Sequence, residues 1–303
     1  MSAASVPVAT FAIPCRNGSV HLRPLLQSLL RQTEPDFVLL LVDDGSSDGS
    51  AALAREVAGD RIAVHRNDPA LGIGGNWNRC IELVTTPFFC LAHQDDIYEP
   101  RYLERLLAAL RARPDAGMAH CRATAVDVDG VAFVSPAEQF KEHFWRHTPG
   151  VDRLRFALDW DYWFRLLRAG FGIADIDELL VRYRRHDGAA SKAASADRSR
   201  FEEELQVLTS ARREGVTAGL LAADVGASPA LRNNLLHEAL VDLQAGRREA
   251  VAHKLAFVRE HAPELWRDPY VRTFRGLWRL GAPGRWLLGA GRRLAVRFGL
   301  GAA

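Results

Sequence analysis

Two rhythms of apolar residues alternate through the amino-terminal part of the chain. Residues 6–13 and 37–42 are nearly continuous apolar runs, and residues 62–65 and 88–92 are shorter ones. Unbroken apolar runs of this length predict strands covered on both faces, as in a parallel sheet. Between the first two, Leu22, Leu25, Leu26, Leu29 and Leu30 recur at the i, i+3, i+4, i+7, i+8 spacing of one helix face. Residues 51–57 and 77–83 predict two further helices, the earlier one preceded by the turn and helix-start residues Ser46, Ser47, Asp48 and Gly49. A strand that regularly feeds a helix predicts an α/β fold with a mostly parallel sheet flanked by helices.

Two of these strands stop at adjacent carboxylates, Asp43-Asp44 and Asp95-Asp96. In open α/β sheets ligands bind beyond the carboxyl ends of the strands, so both acid pairs fall where chemistry is expected. Neighbouring carboxylates repel each other unless a cation or a shared proton intervenes. A divalent metal that also grips a phosphate is one account. The other is that an aspartate of the second pair caps the helix opening near Pro100. Gly72-Ile73-Gly74-Gly75 is not a dinucleotide fingerprint, because Trp77 stands where that pattern needs a glycine.

Composition narrows the class. With 48% hydrophobic and 25% charged residues among 303, the chain predicts globular domains rather than disorder. The formal charge of +2 hides an asymmetry: residues 271–303 carry seven arginines and no acid, which leaves 32 basic against 37 acidic residues, a net of −5, elsewhere. Cys15, Cys80, Cys90 and Cys121 are far apart and have neither disulfide-framework nor zinc spacing, as expected in a reducing cytoplasm. The first fifteen residues lack the basic start of a signal peptide, and no uncharged apolar run reaches the roughly 18–20 residues of a membrane span.

From about residue 195 the chain reads as helix. Ser228-Pro229 is a start signal, Leu231, Leu235, Leu236, Leu240 and Leu243 mark an apolar face, and Gly246 ends it; residues 247–261 follow as a second helix. In the tail, Val271, Phe274, Leu277 and Trp278 share one helical face, and Arg272, Arg275 and Arg279 another. That composition suits a peripheral helix on the headgroups of an anionic membrane. A helix packed on the protein is the alternative; nucleic acid is disfavoured, since the rest of the chain is acidic.

The blocks VATFAIPCRNGS, LLQSLLRQT, FVLLLVDDGSSDGS, LGIGGNWNRCIE and FFCLAHQDDIYEP, in this order and spacing, resemble the family 2 inverting glycosyltransferases. The resemblance implies a GT-A fold, a catalytic domain over residues 1–194 with a helical extension over 195–303, and a nucleoside-diphosphate sugar as donor. It implies that Asp44 recognises the base, favouring a pyrimidine, with Gly45 letting the backbone close on the ligand. Pro14, Asn17, Asn76 and Asn78 are implied donor contacts, although Asn76 suits a helix cap equally well. Asp96 is the implied ligand of a manganese or magnesium ion, with Asp95 on the ribose and diphosphate side; Gln94 replaces the family's usual first aspartate.

Further along, Asp159 matches the family's catalytic base, with Leu158 in place of the usual glutamate; an N-cap is the structural alternative. Trp160, Trp163, Phe164 and Leu167 are spaced to anchor the helix that follows. The segment from Val181 to Gly188 resembles a family stretch that closes over the diphosphate, which implies phosphate contacts for Arg184 or Arg185 and a metal-ligand role for His186. The acceptor region between Asp129 and Asp152 is shorter than the family's. A hydroxyl of a glycan or lipid-linked acceptor is the implied second substrate, met in the cytoplasm or at its membrane face. Two rivals stand beside this reading. A sugar-phosphate nucleotidyltransferase lacks support because Pro14-Cys15-Arg16-Asn17-Gly18 is not a glycine-rich basic loop. A non-catalytic sugar-nucleotide-binding module is favoured by Leu158 and the short acceptor region.

Overall fold

The computed structural model describes residues 7–132, 163, 165–186, 202–207, 209, 229–263 and 265–284. The chain divides into two compact units, Met1–Phe133 with Phe171–His186, and Val134–Gly170 with Asp187–Ala303. The sequence suggested a single boundary after 194; the division is instead discontinuous. Its physical basis is visible at Trp163 and Leu167, which pack against the apolar core of the carboxyl-terminal helices.

In the first unit, β1 (Ala9–Cys15), α1 (Ser19–Leu30), β2 (Phe37–Asp43), α2 (Ser50–Ala58), β3 (Ile62–Arg66), α3 (Gly72–Leu83) and β4 (Phe88–Leu91) alternate as the apolar rhythm predicts. Their four strands form one parallel sheet in the order β3-β2-β1-β4. Both faces are covered, which is why the strands carry no polar alternation. Phe11, Ile13, Leu39 and Leu41 enter the core beneath α1, together with Leu22, Leu25, Leu26 and Leu29 of that helix. Ala12, Leu40 and Val42 face the opposite side with Cys80 of α3. Full burial of each such leucine stabilises by about 1.5–3 kcal/mol, enough to fix the strand register. Pro14 lies beyond the last β1 residue paired with β4, where its missing N–H costs nothing on that side.

A second sheet of order β5-β7-β6 is built from β5 (Ile97–Tyr98), β6 (Ala116–Val126) and β7 (Gly172–Arg184), with α4 (Tyr102–Ala112) before β6. Its strands are not announced by apolar rhythm: β6 reads AGMAHCRATAV and is mostly half-buried. Ser28 of α1 holds the start of this sheet, its Oγ accepting the Tyr98 N–H at 3.1 Å. Gln32 adds two bonds, donating to the Glu99 carbonyl at 2.8 Å and accepting the Leu103 N–H at 2.9 Å. The acidic loop between β4 and β5 is thereby pinned at its downstream end, and the Ala92 N–H to Ala12 carbonyl bond of 2.8 Å pins it upstream.

The second unit contains α5 (Pro229–Gln244), α6 (Arg248–His261), a short 3-10 turn at Leu265–Arg267 and α7 (Pro269–Arg279). Leu235, Leu236, Ala239 and Leu243 meet Val251, Leu255, Phe257 and Val258, and Val271 and Phe274 of α7 complete this core. Gly246, at φ 75°, makes the turn between α5 and α6. Inside the hairpin Lys254, 1% exposed, donates to Asp242 at 2.6 Å, and Arg247 reaches the other oxygen at 2.8 Å. Asp268 caps α7, accepting from the N–H groups of Tyr270 and Val271. Among the described residues no helix is long and apolar enough to cross a membrane.

Candidate functional site

The loops at the carboxyl ends of β1 and β2 are laced together. Asn17, at φ 49°, offers its N–H to Ser46 Oγ and its Oδ1 to the Ser47 N–H, both at 2.9 Å. The Gly18 N–H donates to Ser50 Oγ and the Ser19 N–H to Asp48 Oδ2, again at 2.9 Å. Burial works against the charge on Asp48, but hydrogen bonds from Ser50 and Ser19 overcome it and bring its carboxyl to about 2. Asn17, an expected donor contact, therefore spends its carbonyl oxygen on the neighbouring loop.

The first acid pair needs no metal. Asp43 is fully buried, accepts the Ser46 N–H at 2.9 Å and pairs with Arg66. Asp44, 2% exposed, accepts from the Leu71 N–H at 2.7 Å, the Gly72 N–H at 2.9 Å and Asn67 Nδ2 at 2.9 Å. Burial pushes its pKa up, yet these hydrogen bonds and the Arg16 guanidinium together hold it below the ordinary value. Asp44 thus caps α3 from a distance, a role with no local sequence signal. It also explains why α3 begins at Gly72 and not at Trp77, as the apolar pattern suggested: a carboxylate waits at the helix's orphan N–H groups and favourable dipole end.

The expected contacts on α3 separate. Asn76, 4% exposed, is turned inward, accepting from Asn67 Nδ2 at 2.9 Å and donating to the Val42 carbonyl at 3.1 Å. Four residues inside the helix, it caps nothing. Asn78 is exposed, two residues further round the helix. Gly45, at φ 76°, takes the left-handed conformation that glycine adopts without strain, beside Asp44.

The second acid pair is arranged differently. Neither aspartate caps α4, whose first turn lacks a side-chain cap. Antiparallel pairing of β5 with β7, with Ile97 opposite Arg182, carries the end of β7 against the acidic loop. Asp96 Oδ1 accepts the Arg184 N–H at 3.0 Å, and Asp95 Oδ2 lies 2.9 Å from His186 Nε2. The expected ligand pair of Asp96 with His186 is therefore divided: His186 meets Asp95 first. Arg184, 6% exposed, points its guanidinium at the carbonyls of Asp95, Asp127 and Val128, so it braces the loop from within instead of facing a phosphate. Arg185 reaches the Tyr183 hydroxyl at 3.3 Å. His21 of α1 packs its ring 4.8 Å from that of His186; burial, then the charges of Arg184 and His186, lower its pKa against the opposing pull of Asp95.

Burial pushes the Asp96 carboxyl up to about 6, with Asp95 adding to the rise, while His93 and the Arg184 N–H oppose it. A half-buried carboxylate pair with an imidazole beside it is a fitting donor set for a hard divalent cation. Among the described residues no three His, Cys, Asp or Glu side chains are arranged to enclose such an ion unaided. Manganese or magnesium held here would complete its shell with water and substrate phosphate, as magnesium commonly does.

Two residues to which the sequence assigned no structural role, Gln94 and Arg16, join the acid loops. Gln94 accepts the Arg16 N–H at 2.9 Å and donates to the Arg16 carbonyl at 3.3 Å. An aspartate in its place could not donate. A Cβ on Gly18 would lie 2.5 Å from Gln94 Oε1, so a side chain there would push the Gln94 amide from this position. Arg16 is held by its backbone at the acidic loop while its side chain, 58% exposed, stands 3.7 Å from Asp44 Oδ2. Asp159, the expected base, and the stretch 133–152 of the acceptor region lie outside the described residues.

The family model for glycosyl transferase family 2 matches residues 10–161. An uncharacterized glycosyltransferase of Rickettsia typhi is 24% identical over 224 residues, 65% of this chain and 70% of that protein. A PGL/p-HBAD biosynthesis glycosyltransferase of Mycobacterium bovis is 36% identical over 108 residues, 34% of this chain and 42% of that one. An uncharacterized protein of Mycobacterium tuberculosis is 35% identical over 115 residues, and the chain spans only 35% of its length. Among solved structures, S. aureus TarS 1-349 in complex with UDP-GlcNAc superimposes with a TM-score of 0.55 at 17% identity, covering 90% of this chain and 92% of that one. That likeness is one of fold.

Proposed function

The chain belongs to glycosyl transferase family 2, and from that premise we propose that it transfers a sugar from a nucleoside-diphosphate sugar, with a pyrimidine base, to an acceptor hydroxyl with inversion. The observation that carries this reading is the bridge made by Arg16. One end of it stands beside a nearly saturated carboxylate, Asp44, and the other is clamped to the acidic loop of Asp95 and Asp96. A nucleoside diphosphate has the same polarity, a base with ring N–H at one end and an anionic diphosphate at the other. Asp44 already accepts three hydrogen bonds; a carboxylate has about four acceptor sites, so room for one more N–H remains on the Arg16 side.

Asp159 is the base: it takes the acceptor's proton while that oxygen bonds to the anomeric carbon, and the bond from that carbon to the diphosphate oxygen breaks with its electron pair on the nucleoside diphosphate. Asp96, with Asp95 beside it, would hold a divalent cation whose remaining positions water and substrate phosphate would fill. The ion's contribution is to neutralise charge building on the departing diphosphate. Gln94 keeps the loop of Arg16 against the acidic loop throughout.

Thermal shift over nucleoside diphosphates and their sugars, with and without manganese, tests the donor; a ligand at a hundredfold excess over its Kd stabilises by about 2.7 kcal/mol. Nucleotide release with an acceptor present tests the transfer, and Asp159→Asn should slow it by about 10²–10⁴-fold with donor affinity retained. Saturable binding without release under any acceptor would favour a non-catalytic binding module. No shift with any nucleotide would sink the reading.

A further inference from the structure

The seven arginines of the tail raise the question of what they face. α7 answers for the first three. Its apolar side is used internally: Val271 and Phe274 are core residues, and Leu277 and Trp278 pack against that core. The helix is thus turned so that Arg272 and Arg279 are exposed, with Arg275 between them along the same face. Arg275 lies flat on Trp266, its guanidinium carbon 3.5 Å from the ring centroid, and donates to the Trp266 carbonyl at 3.0 Å.

Among the described residues neither Arg272 nor Arg279 makes an ion pair, and burial together with the charges of Arg279 and Arg272 lowers the pKa of Arg275. A fourth cation arrives from elsewhere in the chain: the exposed Arg248, at the start of α6, brings its guanidinium to 3.1 Å from the Cβ position of Gly281, just past α7. Leu280, 54% exposed, stands beside it. Like charges gathered at the surface cost repulsion unless a counter-charge is supplied from outside.

We propose that this face, formed by Arg248, Arg272, Arg275 and Arg279, docks on the anionic headgroups of a lipid bilayer. A bilayer fits better than a single small anion because the cations are strung along two turns of helix rather than converging on one point. Nucleic acid, the other extended polyanion, is an outcome that the test below separates. Docking of this kind is electrostatic: Val271 and Phe274 are buried in the core, and Leu277 and Trp278 are half-buried against it. Cutting the chain before α7 would be a poor test, since it removes Val271 and Phe274 from that core.

The test is sedimentation of the full chain with vesicles of phosphatidylcholine, alone or containing phosphatidylglycerol, for the native protein and Arg272→Glu/Arg279→Glu. Both substituted positions are exposed, and unchanged thermal unfolding certifies the fold; Arg272→Gln/Arg279→Gln is the milder second variant. Each basic residue near an anionic surface is worth about a fivefold change in partition, so charge reversal at two positions should weaken binding by at least about 25-fold. Binding should vanish near ~1 M salt, where the Debye length is about 3 Å. Equal partition to neutral vesicles, or no loss in either variant, would overturn the proposal. So would retention of a single-stranded RNA probe, lost in the variants, by a protein that ignores anionic vesicles.

Discussion

The two units bury charge in opposite ways. In the helical unit Asp242 meets Lys254 and Arg247, and the carboxylate is answered by two cations inside a closed hairpin. In the α/β unit Asp44 is as deeply buried, yet hydrogen bonds from backbone and Asn67 satisfy it, and its one cation, Arg16, stays at 3.7 Å and largely exposed. The first arrangement neutralises the carboxylate within the unit that buries it. The second is complete enough to fold and leaves one acceptor site at the sheet's rim. The difference teaches that a buried carboxylate is informative about function chiefly through what remains free on it.

Breaking the closed pair should cost stability and nothing else. Lys254→Met leaves Asp242 with Arg247 alone and should lower unfolding free energy by about 3–5 kcal/mol in chemical denaturation, with UDP affinity unchanged in the folded protein. Loss of UDP binding without loss of stability would erase the distinction between the units.

Asp96→Asn should do the reverse. A carboxyl at about 6 when folded and about 3.9 when unfolded binds more protons in the native state across that window. Stability from this group is therefore present below pH ~4 and falls as pH rises through ~6, by as much as about 3 kcal/mol. Asparagine keeps the acceptor for the Arg184 N–H and removes the penalty, so the variant should melt higher than the native chain at pH 7 and equally at pH 4, while losing manganese-dependent donor binding. A variant that melts lower at pH 7, or binds donor as well with chelator as with manganese, would contradict the assignment.

The smallest effect sharpens the comparison most. If the base displaces Arg16 from Asp44 and the guanidinium then meets the diphosphate, Arg16→Gln should weaken UDP by about tenfold, the value of a charge-assisted contact of ~1.4 kcal/mol. Uridine, which has no phosphate, should bind unchanged or more tightly. Parallel losses for both ligands in calorimetry would show that Arg16 acts on the base instead.

Much of this molecule was legible in its sequence. The leucines at 22, 25, 26 and 29 are the buried face of α1, and the apolar run at 37–42 became β2. Gly246 ended its helix where expected. The second sheet was not legible, because β6 and β7 are half-buried and mix charge with short apolar residues. The tail was legible in part: arginine and apolar positions separated onto two faces as predicted, but the apolar face turned out to belong to a protein core.

What the chain determines locally is the set of elements and the presence of acids at strand ends, since periodicity of side chains along a strand or helix needs only near neighbours. Which of those acids is open to a ligand was decided by tertiary structure. Asp44 accepts from N–H groups 27 and 28 positions away, Gln94 clasps Arg16 across 78, and Asp96 is met by Arg184 across 88. Hydrogen bonds over such separations follow from strand order and register, and these leave no periodic trace in the sequence.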